Sequence, residues 1–201
     1  MRKTPCILFV LFVLLLAATS SATASRILTV PTADVTDDTL ELDFHYHRNI
    51  SSLGAQFGFY PGLSAGLRQE FAPDGKGQLY LTLKAAIIEE TQSLPGFALG
   101  GELSFNRQHL YAVASKQLGM PGLRGHIALG LGRYSRGMAG VSYVLNPVKV
   151  SNVPTTSVFM EYDGQGLNGG LVAQFSPELK ANLGLSFGHG ISFGVNYKAA
   201  F

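Results

Sequence analysis

Two histidines two positions apart, His45 and His47, are the residues best suited to chemistry, because Glu41 and Asp43 continue the same spacing. Side chains at every second position of a strand point to one face. Imidazole and carboxylate groups on one face are possible metal ligands. A third ligand would come from another strand, with His126 and Glu161 as the candidates. We favour the simpler interpretation that these are polar residues of a barrel interior that pair with one another, so no metal and no cofactor is predicted.

Catalytic residues are not predicted either. Ser, His and Asp all occur, but the chain has no nucleophile-elbow pattern from which a triad could be argued. Outer-membrane enzymes build their sites from strand ends and long outer loops, and the turns of this chain are short. The chain is therefore expected not to be an enzyme.

The first 24 residues have the pattern of a secretory signal peptide. Arg2 and Lys3 precede an apolar run over residues 7–18, and Ala22-Thr23-Ala24 offers small residues for cleavage. The apolar run is too short for a convincing membrane-spanning helix. We expect export through a cleaved signal peptide, residues 1–24.

Removal of this peptide changes the cysteine count and the charge. The remaining domain, residues 25–201, lacks Cys6, the single cysteine, so disulfides and thiol catalysis are not expected. Two of the 15 Lys and Arg leave with the peptide, and the remaining 13 balance 13 Asp and Glu. A neutral chain lacks the basic field that would attract nucleic acid, so no nucleic-acid partner is predicted.

Alternation with a period of two recurs along the mature chain in segments of roughly 8–12 residues closed by turn residues. Turns such as Asp163-Gly164 and Gly188-His189-Gly190 are short enough to imply antiparallel hairpins. The faces of the sixth segment, His109–Gln117, are not clear from its sequence. The predicted strands are Thr39–His47, Ser52–Phe59, Leu63–Phe71, Gln78–Ile88, Gly96–Phe105, His109–Gln117, Gly125–Tyr134, Met138–Leu145, Thr155–Asp163, Asn168–Phe175, Leu179–Phe187 and a terminal strand that ends at Phe201.

The terminal strand alternates apolar residues from Ile191 to Phe201 with polar or small ones. Ending on such a strand, with an aromatic last residue, resembles the C-terminal signal by which bacterial outer-membrane barrels are recognised for assembly. Gly194, Tyr197 and Phe201 occupy positions of that signal. The resemblance implies the barrel-assembly machinery as a partner.

Alternation alone does not distinguish a soluble barrel from a membrane barrel, because the two differ only in which face points inward. Charged residues form only 14% of the chain, and the polar face is rich in Gly, Ala and Ser. A closed barrel also leaves no strand edge unpaired in lipid. We therefore predict an all-β fold, an antiparallel up-and-down transmembrane β-barrel of about 12 strands. It requires Leu81 and Phe193 outward and Arg68 and Lys198 inward.

The loop lengths fit this prediction less well. With the N-terminus in the periplasm, the outward turns would be short, and the longer connections, residues 89–95, 118–124 and 146–154, would face the periplasm. Typical outer-membrane barrels have the opposite distribution. Either the strand count is off by one, or the barrel is unusually flush on the outside.

Three segments carry a family resemblance. They are Leu28-Thr29-Val30-Pro31-Thr32-Ala33-Asp34-Val35, Leu110-Tyr111-Ala112-Val113-Ala114-Ser115-Lys116 and Gly130-Leu131-Gly132-Arg133. They occur in the order and spacing of stretches in YjbH-like outer-membrane proteins, and the resemblance covers roughly residues 28–144. The chain is far shorter than the larger members of that family. The resemblance implies an outer-membrane barrel and a link to exopolysaccharide secretion, with polysaccharide-export components as partners. It transfers no functional residues.

The predicted lumen-facing set consists of charged and imidazole side chains on the polar faces. Its members are Glu41, Asp43, His45, Arg68, Glu70, Lys84, Glu102, Glu161, Asp163, Lys180 and Lys198. These mixed charges either pair and fill the interior or line a narrow aqueous path for small solutes, since an unpaired charge in a dry lumen would be costly. The sequence predicts an outer-membrane barrel embedded in outer-membrane lipid, structural or a narrow passive pore. A soluble exported ligand- or lipid-binding barrel and an outer-membrane enzyme are the alternatives.

Overall fold

Twelve antiparallel strands make up most of the chain that the computed structural model describes, which is residues 26–35, 37–75, 77–147 and 153–200. The predicted signal peptide and Phe201 lie outside these ranges. The strands are β1 Thr39–His47, β2 Ile50–Tyr60, β3 Leu63–Phe71, β4 Gly77–Ile88, β5 Gly96–Leu103, β6 Gln108–Gln117, β7 Leu123–Gly130, β8 Met138–Val144, β9 Thr155–Tyr162, β10 Leu167–Gln174, β11 Leu179–Ser186 and β12 Gly190–Ala200.

Each strand pairs with its neighbours in sequence, and β12 returns to β1, so the sheet is a closed barrel. At the seam, Thr39 lies opposite Ala200 and Tyr46 lies opposite Phe193. The predicted fold class, an antiparallel up-and-down barrel of about 12 strands, is confirmed. Closure pairs every strand on both sides, which is the condition that a sheet must meet in hydrocarbon. In the described ranges, no helix is long and apolar enough to cross a membrane.

The apolar face of the barrel points outward and the polar face points inward. Leu81 and Phe193 are 45% and 42% exposed, whereas Arg68 and Lys198 are only 4% and 5% exposed. Large apolar side chains are exposed on all twelve strands. This is the arrangement of a transmembrane barrel, because lipid solvates the apolar side chains and the lumen takes the polar ones. A soluble ligand-binding barrel has the opposite arrangement.

The predicted strand over residues 125–134 is too long at its C-terminal end. Strand β7 stops at Gly130, and a 3-10 turn follows over Gly132–Tyr134. Gly132 starts this turn with a φ of 67°, a conformation that favours glycine over other residues. As a result, Tyr134 turns into the lumen, where only 3% of it is exposed.

The connections divide between two ends of the barrel. At the terminal end, where the chain enters β1 and leaves β12, they are residues 61–62, 89–95, 118–122, 145–154 and 175–178. At the distal end they are residues 48–49, 72–76, 104–107, 131–137, 163–166 and 187–189. The strand count was therefore right, and the barrel has short connections at its distal end.

The described chain does not begin in the wall. Residues 26–35, here called the lumen segment, lie inside the barrel, and Leu28, Val30 and Thr32 are at most 4% exposed. The segment is folded back on itself, since Ile27 N–H donates to the Val30 carbonyl (3.0 Å). A 12-stranded barrel is wider than the eight-stranded barrels that side chains alone can fill, so there is room for a second layer of chain.

The outward face supports a first prediction. Leu183 lies in the middle of β11 and is 58% exposed, so we expect Leu183→Arg to place a charge in the centre of the apolar band. The free energy of unfolding in lipid should fall by about 2–4 kcal/mol, measured by denaturant titration of the refolded barrel. Phe187→Arg, just beyond the end of the same strand, is the control and should cost no more than about 1 kcal/mol. Equal costs for the two substitutions would contradict a lipid-facing surface at Leu183.

Candidate functional site: a barrel lumen closed by its own N-terminal segment

The structure places the predicted inward residues in the lumen or at its rim. Nine are at most 7% exposed: Glu41, Asp43, His45, Arg68, Lys84, Glu102, Glu161, Asp163 and Lys198. Glu70 and Lys180 are partly exposed and line the cavities toward the distal and terminal ends, respectively. Many of these side chains make ion pairs or hydrogen bonds with one another or with the lumen segment, as buried charges must.

Glu161 anchors the lumen segment. Its carboxylate accepts hydrogen bonds from three consecutive backbone N–H groups, those of Leu28 (3.4 Å), Thr29 (3.1 Å) and Val30 (3.3 Å). The Thr29 hydroxyl donates a further one at 2.5 Å. Successive N–H groups that converge on one anion form a nest, in which each bond is charge-assisted. The Glu161 side chain therefore accepts hydrogen bonds from the N–H groups at the turn of the segment, which would otherwise lack partners.

A second set of contacts holds the other half of the segment. Arg124 donates two hydrogen bonds to the Asp34 carboxylate, at 2.6 and 2.7 Å. Lys84 Nζ donates to the Asp34 carbonyl at 2.5 Å, and Ala33 N–H donates to the Ser115 hydroxyl at 2.7 Å. The paired geometry of Arg124 fixes position as well as charge. The segment is thus bonded to wall strands on several sides of the lumen.

An apolar strip of the wall packs against the segment. Val30 and Ala33 share a cluster with inward residues of the wall and of the 3-10 turn, and these are Ala98, Val113, Ala128, Tyr134 and Met138. Inward glycines leave further room, because a Cβ at Gly140 would lie 2.8 Å from Ile27 Cδ1. The lumen therefore has one apolar side and a polar remainder.

The packing of a segment inside the lumen was not predicted from the sequence, although one signal for it was present. In β6, Tyr111 and Val113 face inward while Leu110 is exposed outward. Both faces of that strand are apolar, which is why its alternation was unclear. A strand with apolar residues on its inner face indicates that something apolar is packed inside the barrel.

Glu102 is the centre of a cationic cluster next to this apolar strip, and the Tyr134 hydroxyl donates to it at 3.3 Å. It lies 2.5 Å from Arg68 Nη1, 3.2 Å from Arg133 Nε and 3.6 Å from Arg26 Nη2. The Arg133 guanidinium also pairs with Glu70 at 2.8 Å. Three guanidinium groups on one carboxylate leave this part of the lumen positive.

His45 and His47 do not come together at a metal site. His45 Nε2 lies 3.7 Å from Asp43, whereas His47 pairs with Asp163 at 3.2 Å and with the Ser192 hydroxyl at 2.8 Å. Within the described part of the chain, no group of three or more His, Cys, Asp or Glu side chains is arranged to hold a metal ion.

Asp163, in the turn after β9, organises the distal end. It accepts hydrogen bonds from Arg48, from Asn168 and from the backbone of Gln165 and Gly166. Burial alone would raise the pKa of Asp163, but the hydrogen bonds from His47, from Asn168 and from the Gln165 and Gly166 backbone outweigh it and lower the pKa. The carboxylate therefore stays charged and ties β1 to the turn.

The lumen segment lies between two cavities of the interior. The distal vestibule has a volume of about 550 Å³ and is bounded below by Arg26, Leu28 and Thr29. The terminal vestibule has a volume of about 300 Å³ and contains Asp34 and Lys180. Arg26 and His45 border both cavities, so they mark the level at which the path through the barrel is closed.

The residues of the predicted assembly signal have structural neighbours. Gly194 faces inward against the His45 ring, and a Cβ there would overlap that ring. Tyr197 pairs with Leu42 of β1 and Leu179 of β11. The packing explains why residue 194 is glycine, and recognition by an assembly machinery stays a prediction.

These features define the class of the protein: a 12-stranded transmembrane β-barrel with an ionic lumen and an internal N-terminal segment. No protein-family model matches the chain, and no curated protein matches it. In fold it is similar to the KdgM porin, solved in complex with disordered oligogalacturonate, with 9% sequence identity and a TM-score of 0.54. The similarity covers 81% of this chain and 99% of the porin. At that identity the likeness concerns the fold.

Proposed function

We propose that the protein is an outer-membrane β-barrel of the cell envelope that works as a narrow, non-enzymatic pore, closed in this structure by its lumen segment. One observation carries the proposal: a polar interior with a separate segment bonded across it, inside a wall that is apolar outside. Wall side chains alone do not fill a barrel of 12 strands. The segment lies in the space that they leave, between two vestibules.

Two measurements test this function. The mature chain should fractionate with outer membranes and migrate faster on gels before boiling than after, as folded barrels do. In planar bilayers it should be mostly closed, with rare openings. A chain recovered in the soluble periplasmic fraction would refute the outer-membrane assignment, and a permanently silent barrel whose segment has been removed would refute the pore.

The remaining parts of the proposal follow from the sequence. We propose cleavage of residues 1–24 on export, assembly through the C-terminal strand by the barrel-assembly machinery, and an orientation with both termini in the periplasm. The YjbH-like resemblance supports a link to exopolysaccharide secretion and to polysaccharide-export components. Loss of exopolysaccharide on deletion of the gene would support this link, and unchanged exopolysaccharide would refute it.

The Asp34–Arg124 pair predicts how closure depends on pH. Burial raises the pKa of Asp34, but the hydrogen bonds and charge of Arg124, with Lys84 and Thr32, lower it below the ordinary value of 3.8. The stabilisation is therefore complete above pH 3.8 and lost as pH falls through the lowered pKa. We expect single-channel openings to stay rare from pH 7 to pH 4 and to increase below that.

Arg124→Gln is the matched variant for this prediction. It removes the partner and leaves burial as the main influence on Asp34, so the pKa should rise. Openings should then be more frequent at pH 7 and should increase further at a higher pH than in the unmodified barrel. Identical pH profiles for the two proteins would show that the pair does not hold the segment.

A further inference from the structure

The distal vestibule has a strongly cationic lining. Five arginines border it: Arg26, Arg48, Arg68, Arg107 and Arg133. Its carboxylates are Glu70 and Asp163, with Glu102 beneath them in the adjoining part of the lumen. Imidazole rings of His45, His47, His109 and His189 complete the ionisable part of the lining. The arginines outnumber the carboxylates even though several of them are paired.

Several hydrogen-bond donors of this lining lack a partner among the described residues. Arg48 Nε, Arg68 Nε and the Tyr80 hydroxyl are buried and have no hydrogen-bond partner among the described residues. Arg107 is exposed at the distal rim and makes no ion pair within the described ranges. Buried donors without partners are costly and indicate that water or a ligand completes them.

The two ends of the barrel also differ in charge, and the distal end is the more positive one. The distal connections carry Arg48, Arg107, Arg133 and Arg136 against Asp74 and Asp163. Around the terminal end, acidic residues predominate at positions 37, 38, 89, 90 and 178. A cleft lined by one sign of charge concentrates solutes of the opposite sign. An anion would therefore be drawn to the distal end and not to the terminal end.

We propose that the distal vestibule binds a small carboxylated solute. A volume of about 550 Å³ is that of a small-molecule site. Guanidinium groups bind carboxylates through paired hydrogen bonds, and Arg48 Nε and Arg68 Nε are buried donors of this kind without a partner among the described residues. The proposal deepens the proposed pore function, because it needs the distal end to face the solutes outside.

The test is calorimetric titration of the refolded, detergent-solubilised barrel with digalacturonate, with maltose as the neutral probe and inorganic phosphate as the second anion. Digalacturonate should bind, and its affinity should fall as salt rises; maltose should not bind. Arg107→Gln should weaken binding roughly tenfold, because one charge-assisted contact is lost. Arg107 is exposed, so the variant should keep the fold.

Lys116→Gln is the matched control, since it removes the same charge at the terminal end and should leave the affinity unchanged. Equal binding of maltose, or an affinity that Arg107→Gln does not alter, would overturn the proposal. Phosphate that binds as tightly as digalacturonate would assign the vestibule to phosphate groups and overturn the carboxylate. A barrel that migrates as folded and fails to bind refutes this inference alone, whereas absence from outer membranes refutes the pore.

Discussion

Deletion of residues 26–35 is expected to convert the closed barrel into a conducting pore. The segment lies between cavities of about 550 and 300 Å³, and none of its residues belongs to a wall strand. Its removal should join the cavities into one aqueous path, because 12 strands enclose more space than the wall side chains fill. Single-channel recording in planar bilayers should show long-lived open steps that the intact protein lacks.

The deletion has a built-in control and a rescue. The variant should still show a heat-modifiable gel shift, since all twelve strands remain. A synthetic peptide of residues 26–35, added to the deleted barrel, should close it again, whereas a scrambled peptide should not. A folded deletion variant that stays silent would show that the wall side chains alone close the lumen.

Substitution of Glu161 should have the second largest effect. Its carboxylate accepts bonds from three backbone N–H groups and one hydroxyl of the segment, and only 1% of the residue is exposed. Hydrogen bonds to a charged group contribute about 1.5–3 kcal/mol each. If Glu161→Ala costs the closed state about 3 kcal/mol, the open population rises roughly 100-fold. The open probability in bilayers measures this directly.

Glu161→Gln should have a smaller effect, because the amide oxygen still accepts hydrogen bonds while the charge is lost. An increase of roughly tenfold is expected if about 1.4 kcal/mol of charge assistance disappears. Glu89→Gln makes the same chemical change at an exposed position of the terminal end and should leave the open probability unchanged. The idea of a Glu161 anchor fails if all three variants open alike.

The strands of the barrel wall were predictable from sequence because each strand signal depends on residues that are close together in the chain. A strand places every second side chain on one face, so the alternation around Leu81 or Phe193 is enough to assign both faces. Twelve segments were recognised, and the end of β7 was misjudged. There the alternation runs on past Gly130, although Gly132 has a backbone conformation that leaves the sheet.

The burial of Glu161 was also within reach of the sequence, since its position on a polar face follows from the same alternation. The lumen segment, to which Glu161 bonds, was not predictable as its partner. The Leu28, Thr29 and Val30 N–H groups lie more than 130 positions away in the chain, and no pattern in either stretch indicates that the two are in contact. A short, mixed segment without periodicity has no strand or helix signal from which its place could be inferred.

The sequence by itself determined the strands, because alternation depends on spacing within a few residues. Its low content of charged residues and its polar faces rich in Gly, Ala and Ser then indicated which side of the sheet meets lipid. Only the tertiary structure decided that the lumen is divided, that Glu161 and Arg124 hold the dividing segment, and that the arginines gather at the distal end. These features come from strands on different sides of a closed sheet, and closure alone brings their inward side chains within bonding distance of a segment that lies between them.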